Sequence, residues 1–134
     1  MMEQISPSTI LIIDDDPVAR MLSKRNLEIA GFEGKIISAE DGEVGFEILA
    51  QSSPSTHFTI ILDYHMPVLD GLSFLKLMDS KNLKHPVFML SSSIMKVHRE
   101  ECLRMENVVD YYVKPIDQTK SKSIIEITKT VIPS

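Results

Sequence analysis

Short apolar runs alternate along this chain with longer segments in which apolar side chains recur at helical spacing. Short runs that are rich in β-branched residues are typical of strands buried on both faces of a sheet. We predict five such strands, at 10–13, 35–39, 58–62, 86–90 and 111–113. The segments between and after them predict helices at about 17–30, 42–51, 70–80, 96–105 and 121–132.

The first helix has clear signals at both ends. Asp16 precedes Pro17, which predicts Asp16 as the N-cap and Pro17 as the first helical residue, and Gly31 ends the helix. Helical spacing gives this helix a buried face that we expect to comprise Val18, Met21, Leu22 and Ile29, with Arg25 lying along it.

The two ends of the chain differ in pattern. Residues 1–8 show no periodicity, so we expect a flexible leader. The last helix has the most regular period, and residues 133–134 follow it as a short tail. The positions that define this period are Ser121, Ile124, Ile125, Thr128, Val131 and Ile132.

Strands that alternate with helices predict a parallel sheet with right-handed crossovers, covered by helices on both faces. The predicted fold class is therefore a doubly wound α/β sheet. A length of 134 residues suits one such domain and is too short for two ordinary ones.

Composition excludes several classes of protein. The chain is 43% hydrophobic and 25% charged, which is typical of a folded domain. It has no apolar run long enough for a membrane span and no signal peptide, and its one cysteine agrees with a reducing compartment, so we expect a cytoplasmic protein. The net charge of −5 argues against direct nucleic-acid binding.

Polar side chains follow four of the predicted strands. Asp14 and Asp15 follow the first strand, Asp63 the third, Ser91 the fourth and Lys114 the fifth. Because the carboxyl ends of parallel strands open on one edge of the sheet, we expect these side chains to converge. Clustered carboxylates repel each other unless a cation lies among them, and Mg²⁺ suits oxygen ligands. The lysine and the hydroxyl group suit a phosphate.

Each of these residues also has a simpler interpretation. Asp63 could only cap the turn that follows it, and Asp14 and Asp15 could be turn acids. A serine that ends a strand, such as Ser91, is often a turn former. Tyr111 could be an ordinary strand aromatic.

Four features occur in order at the predicted strand ends and together are more specific than any one of them. They are Asp14-Asp15, the run Asp63-x-x-Met66-Pro67-x-x-Asp70-Gly71, the hydroxyl of Ser91, and Lys114-Pro115. This pattern resembles the receiver domain of two-component response regulators. The resemblance implies a flavodoxin-like fold with strand order 2-1-3-4-5 and a receiver domain over residues 9–132.

The resemblance also implies a chemical role for each residue at the strand ends. Asp63 would be the phosphoacceptor, with Lys114 and Ser91 acting on the phosphoryl group. Mg²⁺, for which Mn²⁺ can substitute, would be bound by a set of oxygen ligands. That set would be Asp15, Asp63 and the backbone carbonyl of His65, with Asp14 acting through water.

Three further positions have roles by the same resemblance. Tyr111 would move together with Ser91 as a switch when Asp63 is phosphorylated. Pro115 would follow a cis peptide bond, which proline alone tolerates well. Gly71 would have a structural role where the loop after the third strand leads into the next helix.

Partners follow from the resemblance as well. A sensor histidine kinase or a histidine phosphotransfer protein would donate the phosphoryl group in a phosphorelay. The surface formed by the fourth helix, the fifth strand and the fifth helix would then change and control a downstream protein. The protein would be a monomer or a phosphorylation-dependent dimer.

Two other functions compete with this interpretation. One is a Mg²⁺-dependent phosphatase or phosphotransferase with an aspartyl-phosphate intermediate. Such enzymes generally place a second acid two residues after the nucleophile, where this chain has His65. The other is a degenerate receiver that is never phosphorylated and acts as a constitutive binding module, although this chain has all the required side chains.

Overall fold

The computed structural model of this chain describes residues 8–93 and 95–130. Within these residues, five strands alternate with five helices, which confirms the predicted order of elements. No helix in this part of the chain combines the length and the apolar character needed to cross a membrane. The elements are β1 (Thr9–Ile13), α1 (Pro17–Ile29), β2 (Ile36–Ala39), α2 (Gly42–Gln51), β3 (Phe58–Asp63), α3 (Gly71–Ser80), β4 (Val87–Ser91), α4 (Lys96–Leu103), β5 (Val108–Val113) and α5 (Gln118–Thr128).

The strands form one parallel sheet in the order β2-β1-β3-β4-β5. This topology confirms the predicted doubly wound, flavodoxin-like fold. The chain moves outward from β1 to β2 and then returns to place β3 on the other side of β1. Sheets of this kind bind ligands outside the carboxyl ends of the strands where the order reverses, which here is between β1 and β3.

The sheet is buried because its central strands present apolar side chains to both faces. Ile10 and Ile12 point to the face covered by α1 and α5, where Leu27 and Ile124 pack against them. Alternate residues of the same strands point to the other face, and complete burial of each such side chain contributes about 1.5–3 kcal/mol. That second core includes Leu11, Ile13, Leu49, Ile60, Leu62, Phe74, Leu75, Met78 and Cys102.

Aspartate residues begin four of the five helices in the described residues. Asp16, Asp41, Asp70 and Asp117 each accept a backbone N–H of the first turn with the side chain. Such a cap contributes about 1 kcal/mol. In α1 the distance from the Val18 nitrogen to the Asp16 carboxylate is 3.0 Å, which confirms the predicted start of this helix.

The predicted buried face of α1 is wrong. Val18, Met21 and Ile29 are 55%, 60% and 62% exposed, and Leu22 is 39% exposed. Arg25 is exposed as well. The residues of α1 that are buried are Ser23 and Leu27.

Hydrogen bonds to the segment before α5 and to the first residue of α5 explain this orientation of α1. The Asn26 side chain donates to the Ile116 carbonyl at 2.8 Å, and the Gln118 side chain donates to the Asn26 carbonyl at 3.1 Å. These bonds turn the side of α1 that carries Ser23, Asn26 and Leu27 toward the protein. The apolar residues on the opposite side therefore remain in contact with solvent.

The predicted leader and fifth strand also need correction. Ser8 is buried, and its backbone N–H donates to the Thr128 carbonyl at 2.9 Å, so this residue is fixed to α5. β5 begins at Val108, three residues earlier than predicted. The pairing with β4 shifts by one residue directly after Val108, and Val109 is exposed, so the alternation of buried and exposed side chains is interrupted at the start of this strand. Residues 1–7, Val131, Ile132 and the tail 133–134 lie outside the described residues.

The partly buried His85 predicts how stability depends on pH. Its Nδ1 atom accepts the Phe58 backbone N–H at 3.4 Å, and burial, followed by the charge of His57, lowers the pKa of the His85 imidazole. The unfolded chain therefore binds a proton more readily, so this site loses stability as pH falls below about 6.5. His85→Gln keeps an acceptor without titrating. We expect the free energy of unfolding in urea to fall less between pH 7.5 and pH 5 in His85→Gln than in the wild type. An equal fall in both proteins would contradict this.

Candidate functional site

The register of the sheet places the ends of four strands side by side. Ile13 pairs with Leu62, so Asp14 and Asp63 follow adjacent positions on β1 and β3. Next along the sheet, Ser91 ends β4, and the Lys114 backbone N–H donates to the Ser91 carbonyl at 2.8 Å. The predicted site residues on these strands therefore share one edge of the sheet.

Two buried carboxylates share one lysine at this edge. The Lys114 Nζ atom lies 2.8 Å from an oxygen of Asp14 and 3.3 Å from an oxygen of Asp63. Asp14 and Asp63 are 1% and 3% exposed, whereas Asp15 is exposed. The other oxygen of Asp14 accepts the Asp16 backbone N–H at 3.0 Å, which ties this carboxylate to the start of α1.

The balance of charge at this edge is negative. Burial, and then the charge of Asp14, raise the pKa of the Asp63 carboxyl to about 7, although Lys114 acts in the opposite direction. Burial acts to lower the pKa of Lys114, but Asp14 and Asp63 outweigh it and the pKa is raised. Lys114 alone therefore does not neutralise the charge of these carboxylates. A further cation beside Asp63 would lower the pKa of its carboxyl group.

The same carboxylates can hold a divalent cation. Asp14, Asp15 and Asp63 each offer an oxygen, and these oxygens all lie within 4.8 Å of one another. An oxygen-only donor set suits Mg²⁺, which is coordinated by one or two carboxylates and retains water molecules. The acidic residues and their excess negative charge thus fit a Mg²⁺ site, with the exposed Asp15 at its entrance.

The loop after β3 is held close to the site by its backbone. The Gly71 N–H donates to the Tyr64 carbonyl at 2.9 Å, which folds the loop back on the end of β3. A Cβ atom at Gly71 would lie 2.9 Å from the Asp63 carbonyl oxygen and 2.9 Å from the Tyr64 Cα. Across the edge, the Lys114–Pro115 peptide bond is cis, which is the geometry expected from the sequence.

Gly71→Ala should destabilise the protein, because the atoms that a new Cβ would meet belong mainly to the backbone and cannot move independently. We expect a loss of about 1–3 kcal/mol in the free energy of unfolding. Urea unfolding will measure it, with Ser73→Ala as the control because Ser73 is exposed on the same helix. Equal stability of Gly71→Ala and the control would show that the loop can shift to accept a side chain.

Ser91 and Tyr111 are both buried, but neither contacts the carboxylates through a hydrogen bond in this structure. The Ser91 hydroxyl donates to the Ser93 carbonyl at 2.6 Å, and its oxygen accepts the Ser93 N–H at 3.4 Å, as in a serine turn. The Tyr111 side chain is buried in the core, where its hydroxyl has no hydrogen-bond partner among residues 8–93 and 95–130. Burial raises the pKa of this hydroxyl.

Two residues near the site were not identified from the sequence. Tyr64, directly after Asp63, is buried, and its ring stacks on the ring of His98 in α4. The side chain of His65 is exposed and packs beside both rings. A pair of histidines 33 positions apart carries no local signal, so only the fold brings these rings together.

Comparisons with known proteins agree on one family. A family model described as the response regulator receiver domain matches residues 10–126. Over 121 residues the chain is 33% identical to a probable chemotaxis protein CheY of Rhizobium etli, covering 87% of this chain and 88% of that protein. It is 32% identical over 126 residues to the peroxide stress-activated histidine kinase mak3 of Schizosaccharomyces pombe, covering 90% of this chain and 5% of the kinase.

Solved structures show the same fold. The receiver domain of the Francisella response regulator 1452 superposes with a TM-score of 0.70 at 28% identity, covering 91% of this chain and 93% of that one. A receiver domain protein from Clostridium thermocellum superposes with a TM-score of 0.76 at 24% identity, covering 90% and 94%. The match of the family model across most of the chain shows that this chain belongs to the response regulator receiver domain family of two-component systems.

Proposed function

We propose that this chain is a phosphoacceptor that takes a phosphoryl group onto Asp63 in a Mg²⁺-dependent reaction. One observation supports this most strongly: the buried Asp63 carboxylate lies 3.3 Å from the Lys114 ammonium and beside the acidic residues Asp14 and Asp15. A nucleophile, a cation for the phosphoryl oxygens and ligands for a metal are thereby adjacent. Phosphoryl transfer requires positioning and charge neutralisation of this kind.

In this proposal each residue acts on a stated atom. An Asp63 oxygen forms the new bond to phosphorus while the bond from phosphorus to a partner's histidine nitrogen breaks. That nitrogen keeps the electron pair of the broken bond and leaves as part of a neutral imidazole, whose other nitrogen carries the proton. Bound Mg²⁺ would neutralise negative charge on the phosphoryl oxygens. Asp15, Asp63 and the His65 carbonyl would be its ligands, with Asp14 acting through water, and Mn²⁺ could take its place.

The switch is proposed from the alternative hydrogen bonds open to Ser91. Its hydroxyl, now bonded to the Ser93 carbonyl, would instead donate to an oxygen of the phosphoryl group. The buried Tyr111 hydroxyl, which has no hydrogen-bond partner in the described part of the chain, would follow it. Movement of these side chains would alter the surface formed by α4, β5 and α5 and control a downstream protein.

A protein donor is supported by the surface beside the site. Val18 and Leu22, both exposed, line a cavity of about 220 Å³ together with Lys114 and Pro115. Contiguous exposed apolar side chains favour protein contacts. A sensor histidine kinase or a histidine phosphotransfer protein could therefore dock there and bring its phosphohistidine to Asp63.

The test uses beryllofluoride, which mimics a phosphoryl group on a carboxylate. With Mg²⁺ present, we expect NMR shifts of the Asp63, Ser91 and Tyr111 amides and of α4. No response to beryllofluoride or to acetyl phosphate would instead favour a degenerate receiver. Repeated release of phosphate from an ordinary phosphomonoester would favour the enzyme alternative, and phosphotransfer from candidate kinases would identify the donor.

A further inference from the structure

Aromatic rings cover the loop after β3 on the side of α4. The His98 ring stacks on the Tyr64 ring, with centres 4.3 Å apart and planes 13° apart. The His65 ring lies beside both, with its centre 4.9 Å from Tyr64 and 5.7 Å from His98. The proposed phosphoacceptor role would use the backbone carbonyl of His65 and assigns no ligand role to either imidazole side chain.

We propose that the imidazoles of His65 and His98 together bind a divalent transition-metal ion such as Zn²⁺, which joins the loop after β3 to α4. This site is separate from the carboxylate site. It extends beyond the proposed phosphoacceptor function, because the ion would couple the segment next to Asp63 to the first helix of the proposed output surface.

The separation of the two rings fits a shared ion. A Zn²⁺ ion lies about 2.0–2.1 Å from a histidine nitrogen, which places it about 3.2 Å from the centre of the ring. Two imidazoles on one tetrahedral ion therefore have ring centres about 5–6 Å apart. The distance of 5.7 Å between His65 and His98 falls in this interval, with the rings inclined at 65°.

The position of the His98 ring is set by stacking. Tyr64 is 7% exposed, so the stack rests on a fixed part of the core. The Nδ1 atom of His98 is buried and has no hydrogen-bond partner among the residues that the structure describes. His65 is exposed and accessible to an ion from solvent. One ligand is thus held in place, and the other can adjust to complete the site.

The ligand type favours a transition-metal ion over Mg²⁺, and nearby acidic side chains favour a cation of either kind. Burial raises the pKa of the Tyr64 hydroxyl to about 12, and the charges of Asp70 and Glu101 contribute to this shift, so both carboxylates lie near the rings. Imidazole nitrogen suits Zn²⁺, Cu²⁺ and Ni²⁺, whereas Mg²⁺ prefers the oxygen ligands of Asp14, Asp15 and Asp63.

Calorimetric titration with Zn²⁺ in excess Mg²⁺, which occupies the carboxylate site, tests the proposal. We expect one equivalent of Zn²⁺ to bind with a micromolar dissociation constant. His65→Gln and His98→Phe should each weaken binding at least about tenfold. The phenyl ring in His98→Phe keeps the stack on Tyr64 and removes only the nitrogen ligands. His57→Gln is the matched control. His57 directly precedes β3, at the end of the strand away from His65, so this variant should bind Zn²⁺ as the wild type does.

Further outcomes separate the two metal sites. Zn²⁺ should slow amide hydrogen exchange in α4 of the wild type and have no such effect on His98→Phe. Asp63→Asn should bind Zn²⁺ as tightly as the wild type. Unchanged affinity in both His65→Gln and His98→Phe, loss of Zn²⁺ binding in Asp63→Asn, or no binding at micromolar Zn²⁺ would each overturn the proposal.

Discussion

Asp63→Asn will carry no acid-labile phosphoryl group after incubation with acetyl phosphate and Mg²⁺, whereas the wild-type chain will be labelled. The amide that replaces the carboxylate has nearly the same shape but is a very poor nucleophile, so we expect a loss of labelling of at least about 100-fold. The fold will persist, because the substitution removes a buried charge and fills the same volume. The labelled fraction is measured on a gel in which phosphorylated protein migrates more slowly than unphosphorylated protein.

The matched control is Asp79→Asn, which makes the same chemical change at an exposed position of α3. It should be labelled at the wild-type rate. Equal acid-labile labelling of Asp63→Asn and the control would remove Asp63 from the role of phosphoacceptor. Labelling that is lost in both variants would point to a general effect of charge on the donor.

Asp63→Asn and Lys114→Ala will change stability in opposite directions when no divalent cation is present. At pH 7.5 the first should raise the free energy of unfolding by about 2 kcal/mol, because it removes one of two buried carboxylates that share a lysine. The second should lower it by about 3 kcal/mol, because it leaves both carboxylates without their cation. Urea unfolding in EDTA measures both values.

The pH dependence of the same variants follows from Asp63. Its pKa is raised to about 7 in the folded protein, above the value of an unfolded aspartate, so the folded state retains the proton more strongly. The contribution of this carboxyl to stability is therefore complete below about pH 4 and is lost as pH rises through 7. Asp63→Asn should lack this loss. A wild-type chain whose stability matches that of Asp63→Asn at every pH would contradict the negative balance of charge.

Sequence patterns predicted the parts of the fold that depend on local chemistry. The strand at Ile10–Ile13 is a continuous apolar run of mostly β-branched residues, and Asp16-Pro17 is a complete start signal for a helix, so both were placed correctly. The alternation of strands and helices predicted that the carboxyl ends of all the strands share one edge of the sheet. The strand order that places Asp14 beside Asp63, within reach of Lys114, came from the resemblance to receiver domains.

Other features depend on tertiary contacts that a linear pattern does not contain. α1 has two sides that could be buried, and the one that carries Asn26 faces inward because this side chain bonds to the Ile116 carbonyl, far along the sequence. Ser8 is fixed by Thr128 at the other end of the chain. The stack of Tyr64 on His98 likewise joins two elements only after α4 has packed beside β3.

Identification of the modified residue tests the proposed function most directly. The chain is labelled with acetyl phosphate and Mg²⁺, reduced with borohydride, which converts an aspartyl phosphate to homoserine, and digested for mass spectrometry. We predict homoserine at position 63 and unmodified aspartate at 14 and 15. Homoserine at another aspartate, or a stable phosphate on Ser91 or His65 with position 63 unchanged, would contradict the assignment of Asp63 as the phosphoacceptor.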